Sequence, residues 1–212
     1  VASVAIKRGL DVTLLEAEDR VLARVTAPEV SAFYEQVHTE AGVKIHTQTQ
    51  AAAFTGDGKV SGVVCQDGRE IPADLVLIGV GLIPNTELAQ DCGLDVDNGI
   101  VVDEYTRTSD TNIVAAGDCA NHHNEFVGRR IRLESVPNAM GQARAAAATL
   151  CGQDKPYQAL PWFWSDQYDL KLQMAGFSQG YDEMVLRGDP NERSFAAFYL
   201  KDGVVIAVDA VS

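Results

Sequence analysis

The sequence predicts an α/β fold in which a parallel sheet is followed by an antiparallel one. Residues 1–50 read as helix, strand, helix, strand, an alternation typical of a parallel sheet covered by helices. Residues 51–66 read as a hairpin that turns at Gly56-Asp57-Gly58. From about residue 157 onward the apolar segments are short, and turns such as Lys201-Asp202-Gly203 separate them, which favours antiparallel pairing.

The first two helices carry recognisable end signals. The first ends at Gly9, which suits a C-terminal cap, and strand Val12–Leu15 follows it. The second is predicted from about Ala27 to Ala41, with Thr26 as N-cap and Glu29 completing a capping box.

The remaining elements are apolar runs bounded by turn residues. The further predicted strands are Val43–Gln50, Asp74–Ile78, Gly99–Val102, Ile113–Ala116, Leu170–Ala175, Glu183–Arg187, Phe195–Leu200 and Val204–Val208. Pro84 and Asn85 should stop one strand and cap a short helix, and an Ala-rich helix should span Asn138–Leu150. Residues 152–160 form the clearest linker.

The composition is that of a globular protein and argues against several kinds of partner. Of 212 residues, 46% are hydrophobic and 22% charged, and no apolar run approaches the roughly 20 residues of a membrane helix. A net charge of −13 argues against nucleic acid and anionic membrane surfaces. The four cysteines lack CxxC spacing, so we expect no zinc site or redox dithiol, and a reducing cytoplasm suits them. The uncapped helix at Val1–Arg8 and the strand pattern running to Ser212 indicate that both ends are cut.

The most informative segment is Asp110–His122, DTNIVAAGDCANH. Its strand would deliver the Asp118 carboxylate to the mouth of a sheet, on a turn where Gly117 lets the backbone approach a ligand. Asp118 would accept hydrogen bonds from a polyol, and a following helix would offer its amides to a phosphate. Taken alone, Gly117-Asp118 would be interpreted first as a turn with an Asp helix cap, and it is the accompanying motifs that favour a ligand site. We interpret His122 and His123 as solvated loop residues rather than metal ligands.

Three further motifs accompany this segment in a fixed order. They are Leu75–Asn85 (LVLIGVGLIPN), Glu134–Ala139 (ESVPNA) and Pro161–Tyr168 (PWFWSDQY). Together the four motifs resemble the FAD-dependent pyridine-nucleotide reductases. Among these, the chain looks like the ferredoxin reductases of bacterial oxygenase and cytochrome monooxygenase systems, of the putidaredoxin reductase and rhodocoxin reductase type. The resemblance covers essentially the whole chain.

The resemblance implies doubly wound (Rossmann-like) FAD- and NAD-binding domains followed by an α+β reductase C-terminal domain. Residues 1–82 would be the later part of the NAD-binding domain, 83–154 the second segment of the FAD-binding domain, and 155–212 the C-terminal domain. The NAD phosphate loop and the ADP-binding half of the FAD site would lie outside these residues. We therefore do not expect this chain alone to be catalytically competent.

For FAD, the resemblance assigns Asp118, with Gly117, to the ribityl chain and Val136 to the isoalloxazine edge. It brings Glu134 and Trp164 close to the reacting rings as catalytic candidates. On composition alone Val136 is as readily a core residue.

For NAD, the resemblance assigns Gly79 and Gly81 to the approach of the nicotinamide. Glu16 ends its strand where a carboxylate can take both hydroxyls of the adenosine ribose and repel a 2′-phosphate, which favours NADH. The alternative is a solvated strand end, and Arg20 and Arg24 are near enough to weaken the preference.

The implied activity is an FAD-dependent NADH:ferredoxin oxidoreductase that passes electrons singly to a [2Fe–2S] ferredoxin. Because small ferredoxins are usually acidic, we expect a basic docking patch. Arg144 is the main candidate, and the weaker ones are Arg129, Arg130 and Arg132. The alternatives are a rubredoxin or peroxide reductase of the same superfamily and a non-catalytic interaction or dimerisation fragment. The oligomeric state stays open, and a homodimer is possible.

Overall fold

Four α-helices and thirteen β-strands account for most of the computed structural model, which describes all residues from 1 to 212. The helices are α1 (Ala2–Lys7), α2 (Pro28–Glu40), α3 (Glu87–Asp91) and α4 (Val136–Leu150). The first eight strands are β1 (Thr13–Leu15), β2 (Lys44–His46), β3 (Ala51–Gly56), β4 (Val60–Cys65), β5 (Glu70–Pro72), β6 (Ile100–Val102), β7 (Ala120–Asn124) and β8 (Arg129–Arg132). The last five are β9 (Trp162–Gln167), β10 (Leu170–Gly176), β11 (Glu183–Asp189), β12 (Ser194–Lys201) and β13 (Val204–Val211).

The first 72 residues have the predicted mixture of parallel and antiparallel pairing. Strands β1 and β2 pair in parallel, and β3, β4 and β5 form a three-stranded antiparallel sheet that contains the predicted hairpin. Gly9 has φ +75°, and its N–H donates to the Ile6 carbonyl, so it closes α1 as predicted.

The predicted cap of α2 was wrong. The N-cap is Ala27, no side chain caps the helix, and the Thr26 hydroxyl donates instead to the Ala27 carbonyl. The Ala27 N–H donates to the Tyr199 hydroxyl at 3.1 Å, and Ala27 is 1% exposed. A residue of a distant strand therefore satisfies the N–H of the N-cap residue, while Pro28 occupies the first turn of the helix.

Two predicted strands form no ladder, and a third is shortened. Asp74–Ile78 pairs with nothing, and Ile113–Ala116 contributes only one bridge, from Val114 to Arg107. A strand needs a hydrogen-bonded neighbour, and no other strand within residues 1–212 lies beside either segment. The predicted strand Val43–Gln50 is reduced to β2.

The middle of the chain contains a three-stranded sheet in the order β6-β7-β8. Strand β6 confirms the prediction near Gly99–Val102, but β7 replaces the helix expected after Asp118. The backbone of β7 pairs in parallel with β6 and antiparallel with β8, which a helix could not do. The N-cap position of the short helix α3 is Thr86 rather than Asn85, and no side chain caps this helix.

The C-terminal region is a five-stranded antiparallel sheet in the order β11-β12-β13-β10-β9. The four predicted strands are confirmed, and β9, which carries both tryptophans, adds an edge strand. One face of the sheet packs on α2. The buried residues of this core are Ala27, Val30, Phe33, Tyr34, Val37, Leu170, Leu172, Phe195, Ala197, Tyr199, Ala207 and Val211.

A buried polar pair joins this sheet to α2. Tyr199 donates to the Asp209 carboxylate at 2.5 Å and accepts from the Ala27 N–H. Burial raises the pKa of Asp209 to about 6, against the lowering effect of the Tyr199 hydrogen bond. None of the helices is long and apolar enough to cross a membrane.

Candidate functional site

The turn at Gly117 and Asp118 presents a carboxylate to solvent from a rigidly held backbone. Gly117 is buried with φ +85°, and its N–H donates to Oε1 of Gln142 at 2.7 Å. The Asp118 carbonyl accepts from Nη1 of Arg132 at 2.9 Å. The side chain of Asp118 is exposed and takes part in no hydrogen bond or ion pair within the chain. It is therefore available to an external hydroxyl or amide.

The start of α4 lies against this turn. A Cβ placed on Gly117 would lie 3.6 Å from the Cβ of Ala139, in the first turn of the helix. Ser135 caps the helix by accepting from the Asn138 N–H at 3.3 Å. The turn and the positive end of a 15-residue helix thus meet at one edge of the structure.

Apolar and charged groups flank the same edge. Val136 is 57% exposed at the first position of α4, and Met140, one turn later, is 50% exposed. Val136 is therefore a surface residue of this chain and not part of its buried core. Glu134 is exposed and forms a 2.8 Å ion pair with Arg132. Since Arg132 also holds the Asp118 carbonyl, Glu134 and Asp118 are joined through one guanidinium group.

The two tryptophans lie on the edge strand β9 rather than on a loop. Their rings stack with centroids 5.2 Å apart and planes 26° apart, and Trp162 and Trp164 are 41% and 44% exposed. Trp162 therefore packs on Trp164. Stacked indoles form a flat surface suited to an aromatic ligand or partner.

Glu16 lies immediately after β1, as the strand-end interpretation requires. One carboxylate oxygen accepts from the Glu18 N–H at 3.0 Å, and the other makes no hydrogen bond. Arg20 is held by the Ser31 hydroxyl and the Ala23 carbonyl, so its guanidinium is already engaged.

Gly79 and Gly81 lie in an exposed segment outside the helices and strands. A Cβ at either position would meet nothing within 4 Å, so neighbouring atoms do not require glycine there. Gly81 has φ +97°, a conformation that glycine adopts without strain.

Among the candidate arginines, Arg144 is exposed and its side chain makes no hydrogen bond or ion pair. Arg130 donates to two backbone carbonyls, Arg132 pairs with Glu134, and Arg129 donates to Gln179. Arg144 follows Met140 by four residues, so the two lie on one face of α4.

Two residues of the site were missed or misinterpreted in the sequence. His122 is 2% exposed on β7, so its interpretation as a solvated loop residue was wrong. Gln142 is fully buried at 0% exposure, although it lies in an Ala-rich helix. Residues 120–124 (ANHHN) show no apolar alternation, and four of the five are buried, so the local sequence carries no signal for the burial of His122.

The environment of His122 favours the neutral ring. Burial, followed by the charges of Arg130 and His123, lowers the pKa of His122 to about 4. Its Nδ1 lies 3.0 Å from Nε2 of Gln142, and its Nε2 has no partner.

Comparison with known proteins supports the same interpretation of these motifs. The pyridine nucleotide-disulphide oxidoreductase family matches residues 1–143, and the reductase C-terminal family matches residues 162–212. The chain is 54% identical to putidaredoxin reductase of Pseudomonas putida and 46% identical to rhodocoxin reductase of Rhodococcus erythropolis. All of the chain is covered in both cases, against 51% and 50% of those proteins.

The fold of the chain also matches that of a reductase in a solved complex with its partner. The crystal structure of the covalent putidaredoxin reductase–putidaredoxin complex matches with a TM-score of 0.95 and 53% identity, over 100% of this chain and 52% of that one. The chain thus spans about half the length of its relatives. By the match over residues 1–143, the chain belongs to the pyridine nucleotide-disulphide oxidoreductase family.

Proposed function

We propose that the protein is an NADH-dependent flavoprotein reductase that passes electrons from NADH through FAD to a [2Fe–2S] ferredoxin of an oxygenase or monooxygenase system. The observation that carries this proposal is the unpaired Asp118 carboxylate beside the start of α4, with exposed Val136 next to it. The relatives named putidaredoxin reductase and rhodocoxin reductase support it.

The residues at this edge fit a flavin. Asp118 would accept from the ribityl hydroxyls, the Gly117 turn would let the backbone approach them, and Val136 would contact the isoalloxazine edge. Glu134 and Trp164 would lie beside the reacting rings, where Glu134 is restrained by its ion pair with Arg132. When bound, FAD would supply the conversion between two-electron hydride chemistry and single-electron transfer.

The domain assignment follows the same logic. Residues 1–82, with the parallel pair β1 and β2, would contribute to NAD binding, residues 83–154 to FAD binding, and residues 155–212 would form the C-terminal domain. The free cysteines, of which only Cys65 is buried, suit a reducing cytoplasm as the site of action.

The cofactor can be tested by spectroscopy on the complete gene product, so that any segment beyond residues 1–212 is present. We expect visible flavin absorption that NADH bleaches without oxygen and that an oxidised [2Fe–2S] ferredoxin restores. Protein that is colourless and does not take up added FAD would contradict the proposal.

The rubredoxin-reductase alternative rests on similarity to two proteins named rubredoxin-NAD(+) reductase, at 37% and 36% identity. Adding a rubredoxin in place of the ferredoxin distinguishes this alternative from the proposed ferredoxin reductase. Faster flavin reoxidation by the rubredoxin would favour that acceptor, whereas reoxidation by peroxide alone would favour a peroxide reductase.

We expect Glu16 to determine the preference for NADH over NADPH. The free carboxylate oxygen of Glu16 would bind the ribose of NADH and repel the 2′-phosphate of NADPH. Glu16→Ala should therefore lower the catalytic efficiency with NADH and raise the efficiency with NADPH relative to that with NADH. The measurement is the ratio of kcat/KM for the two nucleotides, which should shift by about tenfold. Glu18→Ala changes a neighbouring exposed carboxylate and serves as the control. An unchanged ratio in Glu16→Ala would mean that Glu16 merely ends a strand.

The docking surface for the ferredoxin would centre on the exposed face of α4. Val136, Met140 and Arg144 follow one another at four-residue intervals, and all three are exposed. The stacked tryptophans of β9 lie on a strand that contacts the same helix. An apolar face carrying one unpaired cation suits a small acidic partner.

A further inference from the structure

A chain of buried polar side chains runs behind the Asp118 turn. Gln142 is 0% exposed, and Asn138 and His122 are each 2% exposed. Tyr157 donates to Oδ1 of Asn138 at 3.1 Å, and Nδ2 of Asn138 lies 3.4 Å from Oε1 of Gln142. Buried polar groups are costly unless they are hydrogen-bonded, so a connected group of this kind specifies one arrangement of its members.

The partners of Gln142 determine which way its carboxamide points. The Gly117 N–H is only a donor, so the oxygen of Gln142 must face it, at 2.7 Å. The carboxamide nitrogen then faces Nδ1 of His122, at 3.0 Å. The carboxamide N–H donates, and Nδ1 of His122 accepts because the imidazole is neutral.

The hydrogen bond to Gly117 acts directly on the backbone that carries Asp118. The dipeptide Gly117-Asp118 is hydrogen-bonded at both ends: the Gly117 N–H donates to Gln142, and the Asp118 carbonyl accepts from Arg132. Loss of the Gln142 acceptor would leave a buried N–H unpaired and free the Gly117 peptide to rotate. The direction of the exposed carboxylate would change with it.

We propose that Gln142 is a positioning residue for flavin binding, whose buried carboxamide, oriented by His122, fixes the Gly117 peptide and so aims Asp118. This inference rests on the proposed flavin site. It explains how the site is held in place by Gln142 and His122. These two residues lie 20 positions apart in the chain and contact each other rather than the ligand.

The test is a double-mutant cycle in the complete, flavin-loaded protein, read as the dissociation constant for FAD. Gln142→Met keeps the length of the side chain and removes the hydrogen bonds to Gly117, His122 and Asn138, and it should raise the dissociation constant by about tenfold. Combined with Asp118→Ala, it should add less than about twofold, because the residue through which it acts is already gone. Gln142→Glu keeps the acceptor for the Gly117 N–H and should recover most of the affinity.

Thr149→Val is the matched control. It removes another hydrogen bond from α4, the 2.7 Å bond from the Thr149 hydroxyl to the Tyr105 carbonyl, without touching the Asp118 turn. It should lower the melting temperature while leaving the dissociation constant for FAD unchanged.

Three outcomes would overturn the inference. They are unchanged FAD affinity in Gln142→Met, a full additional loss in the Asp118→Ala background, and an equal loss of affinity in Thr149→Val. If Gln142→Met does not fold, His122→Phe keeps a ring beside Tyr157 and removes only the second partner. It should weaken FAD binding in the same direction, by about threefold, and unchanged affinity would again overturn the inference. A wild-type protein that binds no flavin would instead contradict the proposed function.

Discussion

Asp118→Ala is expected to yield protein that folds normally but purifies depleted of FAD. The Asp118 side chain makes no hydrogen bond or ion pair within the chain, so its removal should cost little folding stability. A hydrogen bond to a charged group contributes about 1.5–3 kcal/mol, and losing it would weaken flavin binding by roughly ten- to a hundredfold. The measurement is the flavin-to-protein absorbance ratio after dialysis, followed by recovery of activity with excess FAD.

Asp91→Ala is a matched control for this experiment. Asp91 is an exposed aspartate at the end of α3, away from the Gly117 turn in sequence, and its replacement removes the same charge. This variant should keep its flavin. Full flavin retention by Asp118→Ala through dialysis would show that the turn has been misinterpreted as a cofactor site.

Reversal of the charge at Arg144 is expected to slow ferredoxin reduction and spare the reduction of a small artificial acceptor by NADH. Arg144 is exposed and unpaired on the proposed docking face, so its charge is available to an acidic partner. Charge pairing of this kind accelerates encounter, and Arg144→Glu should lower kcat/KM for the ferredoxin by about tenfold at low salt. The difference from wild type should shrink as ionic strength rises.

Arg187→Glu makes the same change in net charge elsewhere on the surface. Arg187 is exposed on β11, at the opposite edge of the five-stranded sheet from β9. It should leave both activities near wild type. Equal loss with the ferredoxin and the artificial acceptor in Arg144→Glu would mean that Arg144 has a structural role.

Residue patterns along the chain are enough to predict the elements whose determinants are local. The alternation of apolar residues after residue 157 predicts four of the five strands of the C-terminal sheet. Gly9 closes α1 because a glycine at φ +75° satisfies the last turn without any distant contact. The motif at Gly117-Asp118 likewise identifies a carboxylate on a turn before anything is known of its surroundings.

Elements that depend on a partner far along the chain were not predictable in this way. Helix α2 begins within one residue of its predicted start, but the N–H of its N-cap residue Ala27 donates to the Tyr199 hydroxyl, 172 residues away, and Thr26 does not cap it. The apolar runs at residues 74–78 and 113–116 have good strand composition, but composition cannot supply the neighbouring strand that a ladder requires.

The same distinction between local and long-range determinants applies to the candidate site. The candidate Asp118 and the helix that follows Glu134–Ala139 are predictable from residues that are adjacent in sequence. The burial of His122 and the hydrogen bond from the Gly117 N–H to Gln142, 25 residues away, exist only once β7 and α4 are packed together. Polar side chains look alike in a sequence whether they will be solvated or buried, because the cost of burial is met by partners that only the folded chain brings into reach.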